Sequence, residues 1–434
     1  MPSSPESHAS TPESPDPRDP VTLRGWLLLP DAVADMPPRV RLAYGSIRID
    51  SGTIASIEED DAATDDPGTT ISHAFAAVRA SDPVILPGLV DGHLHLPQFD
   101  SIGVAGLELL DWLEQVIFPA EAKWESPDYA RAMARRVGAT LASVGTTSIA
   151  AFSTVHAAST QAAIDDLGAM GFSGTVGHVL MDRNGPDTLL RHGSDLTNAA
   201  RLTPSHAITP SLAPRFAVAC TPDLMRAAAD LARERNWWLQ THLSETTREC
   251  ELVEKLEGRG YVNVYQDCGI LGERTILAHA IHLSDRDRSA LAATRSVVAH
   301  CPTANRFLDA GVMNRAALAD AGVRIVLGSD VAGGPDRSMI RVARAMLESA
   351  QQRGDAVPSA EHAWAKITHG SARTLGLSNT GALETGRRAD VLVVQPDLHG
   401  WLESPNPLSA LLYAWDDRWL THTYLAGRVA YQRG

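Results

Sequence analysis

The sequence predicts an α/β protein, a distorted TIM-type (β/α)8 barrel with a small β-sandwich domain built from both chain termini. Two observations predict it: the middle of the chain alternates short apolar strands with helix-like segments, and both ends have a β-type pattern. The length of 434 residues suits a barrel enzyme with one extra module. We therefore expect a disordered leader at 1–19, a composite β-sandwich from 20–85 and 380–434, and a catalytic barrel at 86–379.

The β-type pattern at the two ends consists of short apolar or alternating segments. Val21–Leu29 is rich in apolar residues, whereas Gly45–Asp50 and Gly52–Ile57 alternate apolar and polar side chains across a turn. Near the other end, Val391–Val394 and Thr421–Tyr431 have the same character. The two groups of strands are expected to pair with each other in one module.

The middle of the chain is expected to be a parallel barrel because strand and helix patterns alternate over nearly 300 residues. Three strands and three helices illustrate this alternation. The strands are Val84–Leu86, Thr275–Ala278 and Arg324–Leu327, and the helices are Tyr129–Ser143, Leu224–Arg235 and Ser338–Arg353.

Composition and charge narrow the function classes. The formal net charge is −14, which opposes binding to phosphate backbones, so no nucleic-acid partner is expected. The first twenty residues are rich in Ser, Pro and acidic residues and lack a signal-peptide pattern, and no apolar run reaches the roughly 20 residues that span a bilayer. We expect a soluble cytoplasmic protein without a membrane partner. The four cysteines show no C-x-x-C pair and are expected to be reduced.

Chemistry-bearing side chains follow one apolar strand after another. The set comprises His93, His95, His242, Glu245, His279, His300 and Asp330. Carboxyl ends of barrel strands meet at one mouth, so we expect these groups to converge there. Each histidine alone could be a core or capping residue satisfied by hydrogen bonds. Histidine supplies only 16 of 434 residues, however, and this repetition at strand ends favours a metal site of the imidazole and carboxylate type that Zn²⁺ prefers.

The motifs that contain these residues resemble the amidohydrolase superfamily. They are PGLVDGHLH at Pro87–His95, the T-H-x-x-E block at Thr241–Glu245, the strand-end His279 and G-S-D at Gly328–Asp330. The resemblance covers nearly the whole chain after the leader. It implies the distorted barrel together with a split β-sandwich.

Within that superfamily the chain resembles the guanine deaminases more closely. Their more specific motifs appear as HLHLPQ at His93–Gln98, LDWLE at Leu110–Glu114 and FPAE at Phe118–Glu121. Pro214–Phe216 also matches. The segment Thr303–Asp309 departs from the family at Ala304, Arg306 and Asp309, and Thr246 stands where Asn is expected.

The resemblance implies roles for individual residues. His93, His95, His242 and Asp330 would hold the metal, whose bound hydroxide would attack C2 of guanine and give xanthine and ammonia. Among the catalytic residues, Glu245 would shuttle protons, Asp330 would also orient the hydroxide, and His279 would hydrogen-bond the hydroxide or complete the metal set. Gln98, Arg215 and Phe216 would bind the purine base. His300 is left as either structural or functional.

The metal content and the rival functions stay open at this point. No lysine occurs between Glu125 and Glu254, so the bridging lysine of two-metal relatives is absent and one Zn²⁺ per chain is favoured, with iron as the alternative. A segment around Arg306 that lined the pocket would favour a related deaminase acting on a pterin, an oxidised purine or a triazine. A non-catalytic scaffold is the other alternative, and the presence of all expected ligands argues against it. A homodimer is the family-level expectation.

Overall fold

The computed structural model describes residues 20–31, 38–60 and 79–434, and the predicted leader at 1–19 lies outside the described residues. Strands in these ranges form two sheets, of seven and eight strands. The first sheet contains β1 (Val21–Asp31), β2 (Arg39–Asp50), β3 (Thr53–Glu59), β4 (Val84–Pro87), β13 (Val391–Val394), β14 (Leu420–Leu425) and β15 (Arg428–Gln432). The second contains β5 (Leu89–His95), β6 (Thr146–Phe152), β7 (Ser173–Leu180), β8 (Ala207–Pro214), β9 (Trp238–Leu243), β10 (Thr275–His279), β11 (Val297–His300) and β12 (Arg324–Leu327).

Helices lie between the strands of the larger sheet and after its last strand, β12. In chain order they are α1 (Leu109–Trp112), a π-helical turn (Leu113–Ile117), α2 (Phe118–Ala122), α3 (Pro127–Ser143), α4 (Ala157–Met170), α5 (Asp187–Gly193), α6 (Leu196–Ala199), α7 (Pro222–Arg235), α8 (Thr247–Glu257), α9 (Tyr261–Asp267), α10 (Asp285–Ala293), α11 (Pro302–Phe307), α12 (Arg315–Asp320), α13 (Met339–Arg353), α14 (Ala360–Lys366), α15 (His369–Thr374) and α16 (Pro407–Ala414). Short 3₁₀ turns lie at Phe99–Ser101, Lys123–Glu125 and Asp417–Trp419.

The smaller sheet joins the two ends of the chain, as the sequence predicted. Its strand order is β15-β14-β13-β4-β1-β2-β3, so β4 lies between the N-terminal and C-terminal strands. In β4, Ile85 pairs with Leu27 of β1 in parallel and with Val393 of β13 in antiparallel register. Because β4 passes into β5 after a single residue, Gly88, this sheet is attached directly to the first barrel strand.

The eight strands of the larger sheet follow one another in chain order, and every ladder between them is parallel. This arrangement confirms the barrel. Its first strand meets the segment after its last strand, where the amide of Asp330 donates to the carbonyl of His93 at 2.8 Å and the amide of His95 donates to the carbonyl of Val331 at 2.7 Å. The barrel is therefore closed by backbone groups of the predicted metal ligands themselves.

The outer helices follow from local sequence signals. The long α3 begins with Ser126, whose side chain accepts from the amide of Tyr129, and Pro127 occupies its first turn, where the missing N–H costs nothing. Its apolar side buries Val137 and Leu141 completely. In the described ranges, no helix has both the length and the apolar character needed to cross a bilayer.

The closure leaves no room for a side chain at Gly328. A Cβ at this position would lie 2.7 Å from Cβ of His93 and 3.0 Å from its backbone nitrogen. We expect Gly328→Ala to force β5 and β12 apart and to destabilise the fold by about 1–3 kcal/mol. Gly272→Ala is the matched control, because the nearest atom there is 3.9 Å away. Thermal unfolding is the measurement, and equal midpoints for the two variants would contradict the proposed closure constraint.

Candidate active site

Five of the predicted side chains converge where the barrel closes. Nε2 of His93 and Nε2 of His95 lie 3.2 and 3.3 Å from Oδ1 of Asp330. Nε2 of His95 lies 3.1 Å from Nε2 of His242. Ligand-type atoms of His93, His242, His279 and Asp330 all lie within 4.8 Å of one another. So many nitrogen and oxygen atoms around one point form a donor set for a metal ion.

Hydrogen bonds behind the cluster orient two of the imidazoles. Nδ1 of His242 is 2.7 Å from the backbone carbonyl of Arg215, and Nδ1 of His279 is 2.8 Å from the side-chain oxygen of Asn305. A carbonyl oxygen only accepts, so each Nδ1 must carry the proton and donate it. Nε2 of both rings then presents a lone pair to the cluster, which is how a metal-binding histidine is held.

The unpartnered state of His93 fits a metal ion. The residue is fully buried, and neither of its ring nitrogens has a hydrogen-bond partner among the described residues. A buried polar atom without a partner costs about 1–3 kcal/mol. A divalent ion bound at Nε2 would remove that cost, so the residues present fit the group that the sequence predicted.

The electrostatics of the cluster also suit a cation. Burial lowers the pKa of His95 to about 4, and burial together with the charge on His93 lowers the pKa of His242 well below its usual range. Burial alone would raise the pKa of Asp330, but the close imidazoles of His93 and His95 hold it well below its usual range. Neutral imidazoles and an ionised carboxylate are the protonation states that metal binding requires.

The loops that carry these ligands are held in sparsely populated backbone conformations. His279 and Asp330 have φ of 71° and 50°, in the left-handed region that non-glycine residues rarely adopt. Beside them, the buried carboxylate of Asp91 accepts from the amide and the hydroxyl of Ser329 at 2.9 and 2.5 Å, and from the amide of His93 at 3.2 Å. Asp91 thus fastens the segment that carries Asp330 to the strand that carries His93.

Glu245 lies beside the cluster with one oxygen unengaged. Its Oε2 is 3.5 Å from Nε2 of His279, and its Oε1 has no hydrogen-bond partner in the described part of the chain. Burial, with the charges of Asp330 and Glu249, raises its pKa well above the usual range. Such a carboxyl group holds a proton more readily than an ordinary glutamic acid, which suits a group that takes up and releases protons.

A capping interaction fixes the backbone of Glu245. The carboxylate of Glu249 accepts from the amides of Glu245 and Thr246 at 2.9 and 3.3 Å and from the hydroxyl of Tyr261 at 2.6 Å. Thr246 in turn caps the first turn of α8, so the pair forms a capping box. This explains how the chain accommodates Thr at a position where the family resemblance suggested Asn.

A cavity opens beside the metal-type cluster. Its walls include four of the five cluster residues, all except His93, and all three of the predicted substrate-binding residues. The lining comprises His95, Gln98, Leu109, Trp112, Leu113, Arg215, Phe216, His242, Glu245, His279, Leu308, Asp330 and Gly333. One space therefore adjoins the metal-type cluster, a carboxyl group of raised pKa and a polar wall formed by Gln98 and Arg215.

Arg215 in the polar wall of the cavity forms a buried ion pair with a residue behind the wall, Glu121. Nη1 of Arg215 donates to both oxygens of Glu121, at 2.7 and 2.6 Å, and both side chains are 3% exposed. The amide nitrogen of Gln98 lies 3.0 Å from Oε1 of Glu121 and 3.0 Å from Nδ1 of His95. Glu121 was not among the predicted site residues, although it ends the FPAE motif that carried the resemblance.

Two other residues singled out in the sequence lie away from the cavity. His300 ends β11 and is buried outside the metal-type cluster, and burial, with the charge on Arg315, lowers its pKa to about 3. Arg306 is exposed, and its Nη1 lies 3.3 Å from Oε2 of Glu348. From the segment 303–309, the cavity lining includes only Leu308. The departures at Ala304, Arg306 and Asp309 therefore do not alter the wall of the cavity.

Sequence reasoning missed the residues that act from behind the ligands. They are Asp91, Glu121, Glu249 and Asn305. Glu249 had a local signal, since Thr246 and Glu249 have capping-box spacing. The contacts of Asp91, Glu121 and Asn305 join residues that are distant in the sequence, and no local pattern marks them.

Comparisons with known proteins agree with this geometry. The family model of the amidohydrolases matches residues 84–430. Guanine deaminase of Escherichia coli is 31% identical over 367 residues, which cover 81% of this chain and 83% of that protein. A probable guanine deaminase of Schizosaccharomyces pombe is 32% identical and covers 80% and 71%. The crystal structure of guanine deaminase from C. acetobutylicum with bound guanine has a TM-score of 0.82 and 28% identity, and covers 95% of this chain and all of that one.

The matched region contains the whole barrel with every ligand of the cluster, and the relatives match at more than two thirds of their length. The chain belongs to the amidohydrolase family.

Proposed function

We propose that this chain is a guanine deaminase that converts guanine and water to xanthine and ammonia. The observation that carries the proposal is the shared cavity, in which the metal-type cluster and Glu245 lie opposite a wall of Gln98, Arg215 and Phe216. The chemistry of these walls suits a flat polar heterocycle that places its reacting carbon at the cluster and its polar edge at Gln98 and Arg215. The similarity to the guanine deaminases, one of them solved with guanine bound, supports this choice of substrate.

His93, His95, His242 and Asp330 are the proposed metal ligands, with His279 completing the set or contacting the attacking water. The absence of lysine between Glu125 and Glu254 favours one ion over two. Zinc is the proposed ion because imidazole and a single carboxylate suit it. When bound, it supplies a water molecule whose pKa is lowered toward neutrality.

Glu245 is the proposed proton carrier. It accepts one proton from the attacking water and delivers it to a ring nitrogen, and it then takes the second proton from the newly added hydroxyl group and delivers it to the departing amine. His279 and Asp330 orient the water, since Nε2 of His279 lies 3.5 Å from Glu245 and 3.8 Å from Asp330. The C–N bond at C2 then breaks, the new C–O bond is retained, and the amine leaves as ammonia.

Arg215 supplies the proposed recognition of the base. Its guanidinium group only donates hydrogen bonds, so it pairs with the C6 carbonyl of guanine and is mismatched with an amine at that position. Gln98 contributes a second polar group beside it, and Phe216 offers an aromatic face to the ring. The apolar side chains of Trp112, Leu113 and Leu308 help to exclude water.

The substrate prediction is tested by ammonia release from the purified chain. We expect guanine to have the highest kcat/KM among guanine, 8-oxoguanine, adenine, a pterin and an aminotriazine, because the hydrogen-bond donors of Arg215 match its C6 carbonyl. Formation of xanthine, followed by its absorbance, is the product control. A higher kcat/KM for the pterin, the oxidised purine or the triazine would move the assignment to that substrate.

The metal prediction concerns content and position. Metal analysis of the active chain is expected to give one divalent ion, zinc, and His242→Gln is expected to lose most of it. His399→Gln is the control, because His399 is an exposed histidine. Two ions per active chain, or full activity after complete chelation, would contradict the proposal.

The proton-carrier prediction separates chemistry from metal binding. Glu245→Gln is expected to keep the ion but lose a factor of about 10² to 10⁴ in kcat, the usual contribution of a general acid–base group. Glu251→Gln removes an exposed carboxylate on the following helix and is expected to leave kcat unchanged. A near-normal kcat in Glu245→Gln would exclude Glu245 from proton transfer.

A further inference from the structure

The polar wall of the cavity, formed by Gln98 and Arg215, is held by Glu121, which does not line the cavity itself. Glu121 is 2% exposed and is absent from the cavity lining, yet its carboxylate contacts both polar residues of the wall. It accepts two hydrogen bonds from Arg215 and one from Gln98. We propose that Glu121 is the positioning residue that fixes Arg215 as a donor favouring a substrate carbonyl over an amine, and Gln98 with its amide oxygen as an acceptor, an inference that rests on the proposed deamination of guanine.

The hydrogen bonds to Glu121 use only one of the three nitrogen atoms in the guanidinium group of Arg215. Both bonds come from Nη1. Within the described ranges, Nη2 and Nε donate to no other side chain or backbone group. Because the guanidinium group is planar, holding Nη1 at 2.6 and 2.7 Å from two carboxylate oxygens leaves the other donors for a ligand in the cavity. The face of the ring of Phe118, 5.2 Å from Cζ of Arg215, limits its movement on one side.

The same carboxylate sets the orientation of the amide of Gln98. A carboxylate accepts but does not donate, so it takes the nitrogen end of the amide, which lies 3.0 Å from Oε1 of Glu121. The amide oxygen is then the group left for other neighbours. Without Glu121 the two ends of this amide would be free to exchange places.

The negative charge of Glu121 is a second reason why its pairing with Arg215 suits the proposed substrate. A buried guanidinium group without a counter-ion is costly and would attract anions. With Glu121 the wall is neutral overall, which suits an uncharged purine base. Arg215 can therefore contribute directed hydrogen bonds without making the cavity a general anion site.

The chain positions Glu121 through an irregular helical segment. The π-helical turn Leu113–Ile117 separates α1 from α2, and Pro119 starts the first turn of α2. Leu113 lines the cavity and Phe118 packs against Arg215, whereas Glu114 is exposed on the same turn. This turn thus provides an exposed glutamate as a matched control for the buried one.

The test compares guanine with 2,6-diaminopurine, which keeps the reacting amine at C2 and carries an amine instead of the C6 carbonyl. The readout is the ratio of Ki for diaminopurine to KM for guanine in the metal-loaded enzyme. In Glu121→Gln we expect KM for guanine to rise about tenfold, kcat to change less than threefold, and the ratio to fall about tenfold, since one directed charge-assisted bond is lost. Glu114→Gln is expected to match the wild type.

Metal content and thermal unfolding are measured for every variant. If Glu121→Gln does not fold, Glu121→Asp keeps the charge but draws it back by one methylene, and the ratio is again expected to fall. A purely structural role would weaken both ligands equally and leave the ratio unchanged, which would overturn this proposal alone. A wild type that does not turn over guanine would overturn the proposed function, and this inference with it.

Discussion

The closure of the barrel between β5 and the segment after β12 is the constraint on which the site depends. Backbone hydrogen bonds between His93 and Asp330 and between His95 and Val331 join the first and last parts of the barrel. Three of these residues, His93, His95 and Asp330, also carry side chains of the metal-type cluster. The positions of the cluster side chains therefore depend on the closure of the barrel. The buried carboxylate of Asp91 strengthens this junction by accepting from the amides of His93 and Ser329, one on each side of it.

The chemistry around this junction requires several charges to be buried, and most of them are matched. Asp330 faces imidazoles, Glu249 accepts from two backbone amides and Tyr261, and Glu121 is paired with Arg215. Glu245 is the exception, because one of its oxygens has no partner in the described residues and its pKa is raised by burial. An unmatched carboxyl group beside a matched cluster is what proton transfer needs.

The cavity has two walls of different origin. Strand ends of the barrel supply the reactive wall, and the barrel lets ligands distant in the sequence approach to 3.1 Å, as His95 and His242 do. The segment from Gln98 to Glu121 supplies one residue of the polar wall, Gln98, and the carboxylate of Glu121 behind it. The other residue of the polar wall, Arg215, follows β8. The proposed recognition therefore combines an irregular helical segment with one strand end, and substitutions there are expected to alter the substrate preference.

The sequence by itself determined the barrel, the joining of the two chain ends and most of the cluster. Strand periodicity, and a histidine or an aspartate after each of several strands, are local patterns, and the geometry of parallel strands brings them together. The tertiary structure decided what stands behind and beside those groups. Asp91 with Ser329, Asn305 with His279, and Glu121 with Arg215 are contacts between distant segments, and the direction of Arg306 away from the cavity depends on its partner Glu348 on α13. Such pairings follow from packing in three dimensions, which no spacing along the chain encodes.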